Sequence, residues 1–390
     1  MNSQAARLLS LDAFRGFVML LMASSGLGLA QMAARNPESS IWQAIGWQVS
    51  HVPWQGCALW DLIQPSFMFM VGLAVPLSLR RRLAEGQPKL GIALHALIRA
   101  VVLVLLAVLL STRAADKQTQ WIFTNVLAQI GLGYVPLVLL VAMGWEYCLA
   151  AVVVILIGDA AWFLTHSAPS AETLKALATL QTPPEGKLEG FFSAWSIHTN
   201  AAAEFDRWLL NLFPRAEVFV ANSGGYQTLN FIPALATMLG GALTGHFLMR
   251  PTLALRQKWR TLVIAGLSLL AVGALLGWFA CPIVKRIWTP SWAVFSSGWV
   301  LLMLACFYGL VEIRGWRRAA FPFAVVGSNS IFIYVMHSLC AGWIGQQLAK
   351  HGMAGIFGSS WGPVWERGSI LLVLWLMCLW LYRQRAFLRI

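Results

Sequence analysis

The amino-acid sequence predicts an all-α, polytopic membrane protein of about ten transmembrane helices, one domain over residues 1–390 with a cap loop on its outer side. Three observations predict it. Hydrophobic residues make up 58% of the 390 positions and charged residues only 11%, with a mean hydropathy of +0.68, too little charge to cover a soluble fold of that size. Apolar runs close to the ~20 residues needed to cross a ~30 Å hydrocarbon core recur along the whole chain. Basic residues crowd into alternate short connections, the mark of cytoplasmic loops.

Taken in order, the expected spans are 14–32, 60–79, 92–110, 122–143, 147–164, 229–249, 261–280, 292–311, 321–344 and 369–381. The first follows Arg7 and ends in Gly28-Leu29-Ala30, which resembles a signal-peptide cleavage site. Asp12 and Arg15 stand just before a run long enough to span, so it reads as a retained helix. Between the fifth and sixth spans, residues 165–228 are too long for a connector and are expected to fold over the outer mouth as a cap. No internal repeat of the transporter kind is visible.

With the N-terminus cytoplasmic, 17 of the 28 basic residues fall on inner segments. They include Arg7, Arg15, the run Arg80 to Arg82, Arg99 and, near the other end of the chain, Arg383 and Arg385. Both termini are then cytoplasmic, and His51 and Asp61 face outward. The net charge of +13 is explained by this bias, and no nucleic-acid partner is called for. Tryptophan leans the other way, with 14 of 20 on the outer half. An interfacial belt would fill both sides equally, so the excess points to an aromatic cleft for an amphipathic ligand or to outer loops that pack on themselves.

Chemistry concentrates in the hinge Ser50-His51-Val52-Pro53-Trp54-Gln55-Gly56-Cys57-Ala58-Leu59-Trp60-Asp61-Leu62. Histidine moves protons near neutral pH, and Asp61 opens the second helix, either as a first-turn carboxylate favoured by the dipole or as the group that orients His51. Asp159 lies inside the fifth span, where an unpartnered carboxylate is expensive. His337 and Asn329 either line a polar core or bond helices together. Lys285, Arg286 and Trp288 form an outer cluster that anchors at the interface or touches a ligand. Gly241-Ala242-Leu243-Thr244-Gly245 has the spacing of a close helix contact. The inner arginines Arg7, Arg15, Arg81 and Arg99 could cradle a phosphorylated ligand. The six cysteines show no metal or redox spacing; Cys57 and Cys281 both fall on the outer side, where they either pair as a disulfide or serve as small apolar packing residues, the latter being the reading the sequence favours.

Several stretches resemble one family, the heparan-alpha-glucosaminide N-acetyltransferases, including bacterial relatives that carry a domain of unknown function. They are Arg7-Leu8-Leu9-Ser10-Leu11-Asp12-Ala13-Phe14-Arg15-Gly16, His51 to Gly56 leading into Asp61-Leu62-Ile63-Gln64-Pro65-Ser66-Phe67-Met68-Phe69-Met70-Val71-Gly72, and Asn125-Val126-Leu127-Ala128-Gln129-Ile130. Further on, Pro282 to Ser291 and Gly327-Ser328-Asn329-Ser330-Ile331-Phe332-Ile333-Tyr334 match as well. Two departures stand out: Ser24, Ser25 and Gly26 replace an asparagine of the human-type members, and Gln129 replaces an arginine.

The resemblance implies a transmembrane acetyltransferase, multi-pass in the inner membrane of a bacterium. It would take acetyl-CoA from the cytosol and acetylate an amino sugar or glycan on the outer side, with His51 catalytic and a homodimer as its assembly. The expected site is then His51 and Asp61 for catalysis; Arg7, Arg15, Arg81 and Arg99 for acetyl-CoA; and Trp54, Trp60, Lys285, Trp288, Asn329 and His337 for the acceptor, with no metal. Two other classes stay open on sequence: a transporter or glycan flippase using Asp159, His51 and His337 as a path, and a membrane scaffold whose outer loop binds a partner.

Overall fold

The computed structural model describes residues 8–112, 116–167, 169–180 and 183–388. Among them the fold is all-helical, and the one β pairing is an isolated antiparallel bridge between Gln55 and Val284. Eight helices are long and apolar enough to cross a membrane, and two bent pairs bring the number to ten. The protein is a multi-pass membrane protein.

The helices run α1 Leu9–Ala23, α2 Leu29–Arg35, α3 Ser40–Gln48, α4 Ile63–Ala84, α5 Lys89–Ser111, α6 Val126–Met143, α7 Trp145–Thr165, α8 Ala171–Leu177, α9 Ala201–Leu210, α10 Phe231–Leu248, α11 Leu255–Phe279, α12 Pro290–Tyr308, α13 Arg317–Gly327, α14 Ser330–Leu348, α15 Ala354–Phe357 and α16 Gly362–Arg383. The expected spans coincide with α4, α5, α6, α7, α10, α11, α12 and α16 to within a few residues at most ends. The first and ninth expected spans are instead broken. The break after α1 bends the chain by 46° and the one between α13 and α14 by 61°. At the first, Ser25, Gly26, Leu27 and Gly28 are all left-handed, a conformation an α-helix cannot continue through.

The centre of the bundle is α4 against α10, each with 61% of its apolar window buried, against 11% for α7 and 17% for α11 and α16. Small residues let these backbones meet. A methyl group on Gly72 would overlap the Met238 carbonyl, and one on Gly241 would overlap that of Phe69. Without a hydrophobic drive between helices in lipid, such close approach supplies the dispersion contact that holds them. The pair α1 and α13 crosses in the same way at Gly16 and Gly327. Around these contacts Met68, Phe69, Leu73, Met238, Leu239 and Trp292 form a core with almost no exposure.

The segment between α7 and α10 packs back onto the bundle. Its Trp195, Ile197, Ala201 and Ala202 bury against Trp54, Phe163, Cys281, Val284 and Ile287, so it covers the end of the bundle that carries the His51 hinge.

Candidate active site

Asp61 organises the hinge. Its Oδ2 accepts hydrogen bonds from the backbone N–H groups of Ala58 (3.1 Å) and Val52 (3.3 Å), while its own N–H donates to the Ala58 carbonyl. One carboxylate oxygen therefore closes residues 52–58 into a loop at the start of α4, where the helix dipole favours a negative charge. Gly56, at φ 112°, donates its N–H to Ile283 and lets the loop pair with the segment before α12. That segment is in turn a tight knot: Thr289 Oγ1 donates to the Pro282 carbonyl (2.7 Å) and accepts from the Val284 N–H, and Ser291 Oγ also donates to Pro282.

The knot delivers Lys285 to the other oxygen. His51 Nδ1 lies 2.7 Å from Asp61 Oδ1, and Lys285 Nζ lies 3.2 Å from the same Oδ1 and 3.1 Å from Nδ1. Asp61 and Lys285 are buried, and the imidazole is half-exposed. A separation of 2.7 Å between Nδ1 and a carboxylate oxygen requires a proton between them. We therefore assign Nδ1–H as the donor to Asp61, with the lone pair on Nε2. Burial holds the Lys285 ammonium below the usual lysine range, against the pull of Asp61 in the other direction. Cys57 sits beside this pair, and burial, reinforced by the Asp61 charge, pushes its thiol up to about 12. A thiol so held is no nucleophile at neutral pH.

His51 opens on a cavity of about 400 Å³ whose floor is Met19, Met22, Ile63 and Phe67 and whose polar rim includes Gln64, Thr124, Tyr226 and Lys285. Arg286 fastens the covering segment to this rim: it donates to the carbonyls of Gly224 (2.7 Å) and Val52 (3.2 Å) and lies over the Tyr226 ring at 5.5 Å.

Of the residues singled out from sequence, the structure brings His51, Trp60 and Lys285 to this cavity, with Asp61 buried behind His51. Trp54 is fully buried behind the hinge and donates its Nε1–H to the Trp195 carbonyl at 3.1 Å. Trp288 is equally buried, bonded to Thr237 and edge-on to Trp292. Asn329 sits at the α13–α14 break, donating to Ala386 and accepting from Leu388. His337 Nε2 meets Ser25 Oγ at 3.1 Å, tying α14 to the left-handed turn. These four bond protein groups and are absent from the cavity wall. Arg15 lies 3.7 Å from Asp12, Arg81 pairs with Glu85 on the surface, and Arg99 donates to the Tyr134 hydroxyl while lying 4.7 Å over its ring. Arg7 lies outside the described residues. Asp159 is buried on α7 with Oδ2 lacking a partner. All six cysteines are free.

Sequence reasoning did not pick out Gln64, Thr124, Tyr226, Tyr334 and Ser338, which line the cavity. Gln64 and Tyr334 stand inside motifs quoted above. Tyr226 carried no signal, because only the fold of the covering segment sets it beside Arg286.

A family model described as "Heparan-alpha-glucosaminide N-acetyltransferase, catalytic" matches residues 7–187, a stretch that contains the whole hinge. The proteins named heparan-alpha-glucosaminide N-acetyltransferase from Mus musculus and Homo sapiens are each 24% identical to this chain, over 87% and 85% of it. Through residues 7–187 the chain is similar to the heparan-alpha-glucosaminide N-acetyltransferase catalytic family, as a distant relative. It spans about half the length of these curated relatives, 54% of the mouse protein and 53% of the human one. The family match covers His51 and Asp61 but ends before Tyr226, Lys285 and Tyr334, and the fold brings these later residues to the same cavity.

Proposed function

We propose that this protein is a membrane acetyltransferase that moves an acetyl group from acetyl-CoA, supplied from the cytosol, to an amino sugar or glycan on the outer side of the membrane. The observation that carries this reading is the pair His51 and Asp61, 2.7 Å apart through Nδ1, with His51 lining the cavity. An Nδ1–H held by a carboxylate leaves Nε2 as a base and balances the positive charge that builds when it takes a proton. In direct transfer the acceptor nitrogen attacks the thioester carbonyl, Nε2 takes its proton, the C–S bond breaks and the leaving CoA sulfur is protonated in turn. In the covalent alternative Nε2 itself attacks, CoA leaves, and the acetyl group passes from the ring to the acceptor.

Reach narrows the acetyl-CoA contacts. The pantetheine arm is about as long as five extended residues, roughly 17 Å. Arg81 lies twenty residues along α4 from Asp61, roughly 30 Å at helical rise and out of range. Arg15 shares a face of α1 with Met19 and Met22 of the cavity floor, and Arg99 lies midway along α5. Arg99 donates to Tyr134, which lies eight residues along α6 from Val126 of the cavity, roughly 12 Å at helical rise, so Arg15 and Arg99 are within reach and are the residues we assign to the phosphates.

The test is acetyl transfer from radiolabelled acetyl-CoA to a panel of amino sugars and glycans by purified protein in liposomes, beside His51→Ala. Transfer that requires His51 is the expected result. Full turnover in a folded His51→Ala protein would exclude this site. A wild-type protein that neither binds nor consumes acetyl-CoA would turn attention to solute flux, for which the buried, half-unpartnered Asp159 is the starting residue.

A further inference from the structure

Resting on that reading, we infer that Lys285 is a positioning residue for the reaction: its ammonium holds the Asp61 carboxylate in the one arrangement that leaves His51 Nε2 free as a base. The geometry leaves it little else to do. Nζ is buried, with Asp61 Oδ1 at 3.2 Å and the imidazole Nδ1 at 3.1 Å. Since the Nδ1 proton points at Asp61, the lysine's hydrogen bond goes to the carboxylate, and its proximity to Nδ1 is that of a charge beside a neutral ring. Asp61 then has every lone-pair direction filled, by Val52, Ala58, His51 and Lys285. A carboxylate so saturated cannot rotate to pull on the ring differently. Buried, Lys285 and Asp61 also cancel each other's charge, whereas either alone would be an uncompensated ion.

Lys285 is offered by the sequence as an acceptor contact. Its position at the rim does not require that role, because its nearest polar atoms belong to the catalytic pair. The other titratable or charged groups facing the lysine are Arg286 from its own segment, Cys57 from the hinge and, through Asp61 and Arg286, Tyr226 from the covering segment. Burial keeps the Cys57 thiol and the Tyr226 phenol protonated past neutrality, so neither supplies a competing charge as pH rises. The lysine does titrate early, since burial lowers it from its ordinary value. Loss of its proton removes the partner of Asp61.

The experiment is a pH profile of acetyl transfer for wild type, Lys285→Arg and Lys285→Met in liposomes, with a second measurement that needs no activity. Wild type should lose kcat on the alkaline side at a pH below the ordinary lysine range near 10.4. Lys285→Arg, whose guanidinium stays charged, should keep kcat to within about tenfold and lack that alkaline fall. Lys285→Met should lose kcat on the order of 10²-fold at every pH, with KM for acceptor unchanged. An alkaline limb that survives in Lys285→Arg, or a Lys285→Met defect confined to KM, overturns the proposal. In parallel, competitive labelling with a small amine reagent, read by mass spectrometry at Lys285, reports its proton directly in wild type and Asp61→Asn. Lys285 should become reactive at least about one pH unit lower in Asp61→Asn, and an unchanged midpoint overturns the coupling even if Lys285→Met fails to fold. If wild type transfers no acetyl group at all, the functional reading fails, while the labelling still judges the coupling.

Discussion

The two oxygens of Asp61 divide its work: Oδ2 shapes the hinge through two backbone N–H groups, and Oδ1 meets His51 and Lys285. Asp61→Asn separates these duties. The amide oxygen can still accept from Val52 and Ala58, so the hinge should fold. The amide nitrogen would then face Nδ1 as a donor, forcing the imidazole proton onto Nε2 and abolishing the base. We expect kcat to fall by ~10² to 10⁴ with KM for acetyl-CoA unchanged in steady-state assays; loss of KM alone would contradict the tautomer argument. A second contrast concerns the arginines. A charge-assisted hydrogen bond contributes about 1.5 to 3 kcal/mol, so Arg15→Ala and Arg99→Ala should each raise KM for acetyl-CoA by roughly 10- to 100-fold, while Arg81→Ala leaves it within about twofold. Equal effects at all three would mean a diffuse field rather than bound phosphates. From the sequence, His51 and Asp61 were legible because a polar, aromatic hinge interrupts apolar runs. The place of Lys285 beside Asp61 was not, since 224 residues separate the two and their segments meet through tertiary contacts, the Gln55–Val284 bridge and the Gly56–Ile283 and Arg286–Val52 hydrogen bonds.

At the scale of elements, hydropathy located the helices but not their breaks, because a window of apolar residues carries no record of backbone handedness. The turn at Ser25 to Gly28 and the bend at Asn329 are set by bonds to distant segments, His337 in one case and Ala386 and Leu388 in the other. The Gly241 to Gly245 spacing, by contrast, was readable as a contact, and it is the α4–α10 seam. A side chain there has nowhere to go: Gly241→Leu should cost the ~1 to 3 kcal/mol of an overpacked core or more, read as a lower thermal midpoint or loss of monodisperse protein in detergent. Gly158→Ala on α7, where a methyl group meets open space, should be neutral or stabilising. The covering segment has its own signature. Asp206 on α9 is fully buried; Oδ2 accepts from the Thr228 N–H and Oδ1 has no partner. Burial raises its carboxyl from 3.8 to about 6. The folded protein therefore holds this proton more tightly than the unfolded chain. Its contribution to stability is complete below about pH 4 and is lost as pH rises through 6, up to roughly 3 kcal/mol. Asp206→Asn should flatten the fall in melting temperature between pH 4 and 7 and be the more stable protein at pH 8; an unchanged slope would mean that another group carries it.

For the whole molecule, the placement of charge and of chemistry are two aspects of one arrangement. Alternating spans put the α4–α5 turn, the α10–α11 turn and the α12–α13 turn at one end, and these connections carry Arg80 to Arg82, Arg250, Arg256, Arg314 and Arg317. The opposite end holds the hinge, the Lys285 knot and the covering segment. Moving a basic loop across a bilayer is opposed both by its desolvation and by the anionic inner surface, so the arginine-rich end should face the cytoplasm and the His51 end outward. A single-cysteine series tests this in a background lacking the six native cysteines. Glu38→Cys and Ser223→Cys, both exposed at the His51 end, should react with a membrane-impermeant maleimide added to intact cells. Gln87→Cys and Thr252→Cys, exposed at the other end, should react only after the membrane is opened. The reverse pattern would place the cavity on the same side as cytosolic acetyl-CoA and remove any need for Arg15 and Arg99 to receive the donor through the bundle. The expected pattern instead requires that the acetyl group travel most of the membrane's thickness before it meets His51. On the proposed acetyltransferase reading, an arm held at Arg15 and Arg99 and reaching between α1, α4 and α6 toward the cavity would meet that requirement.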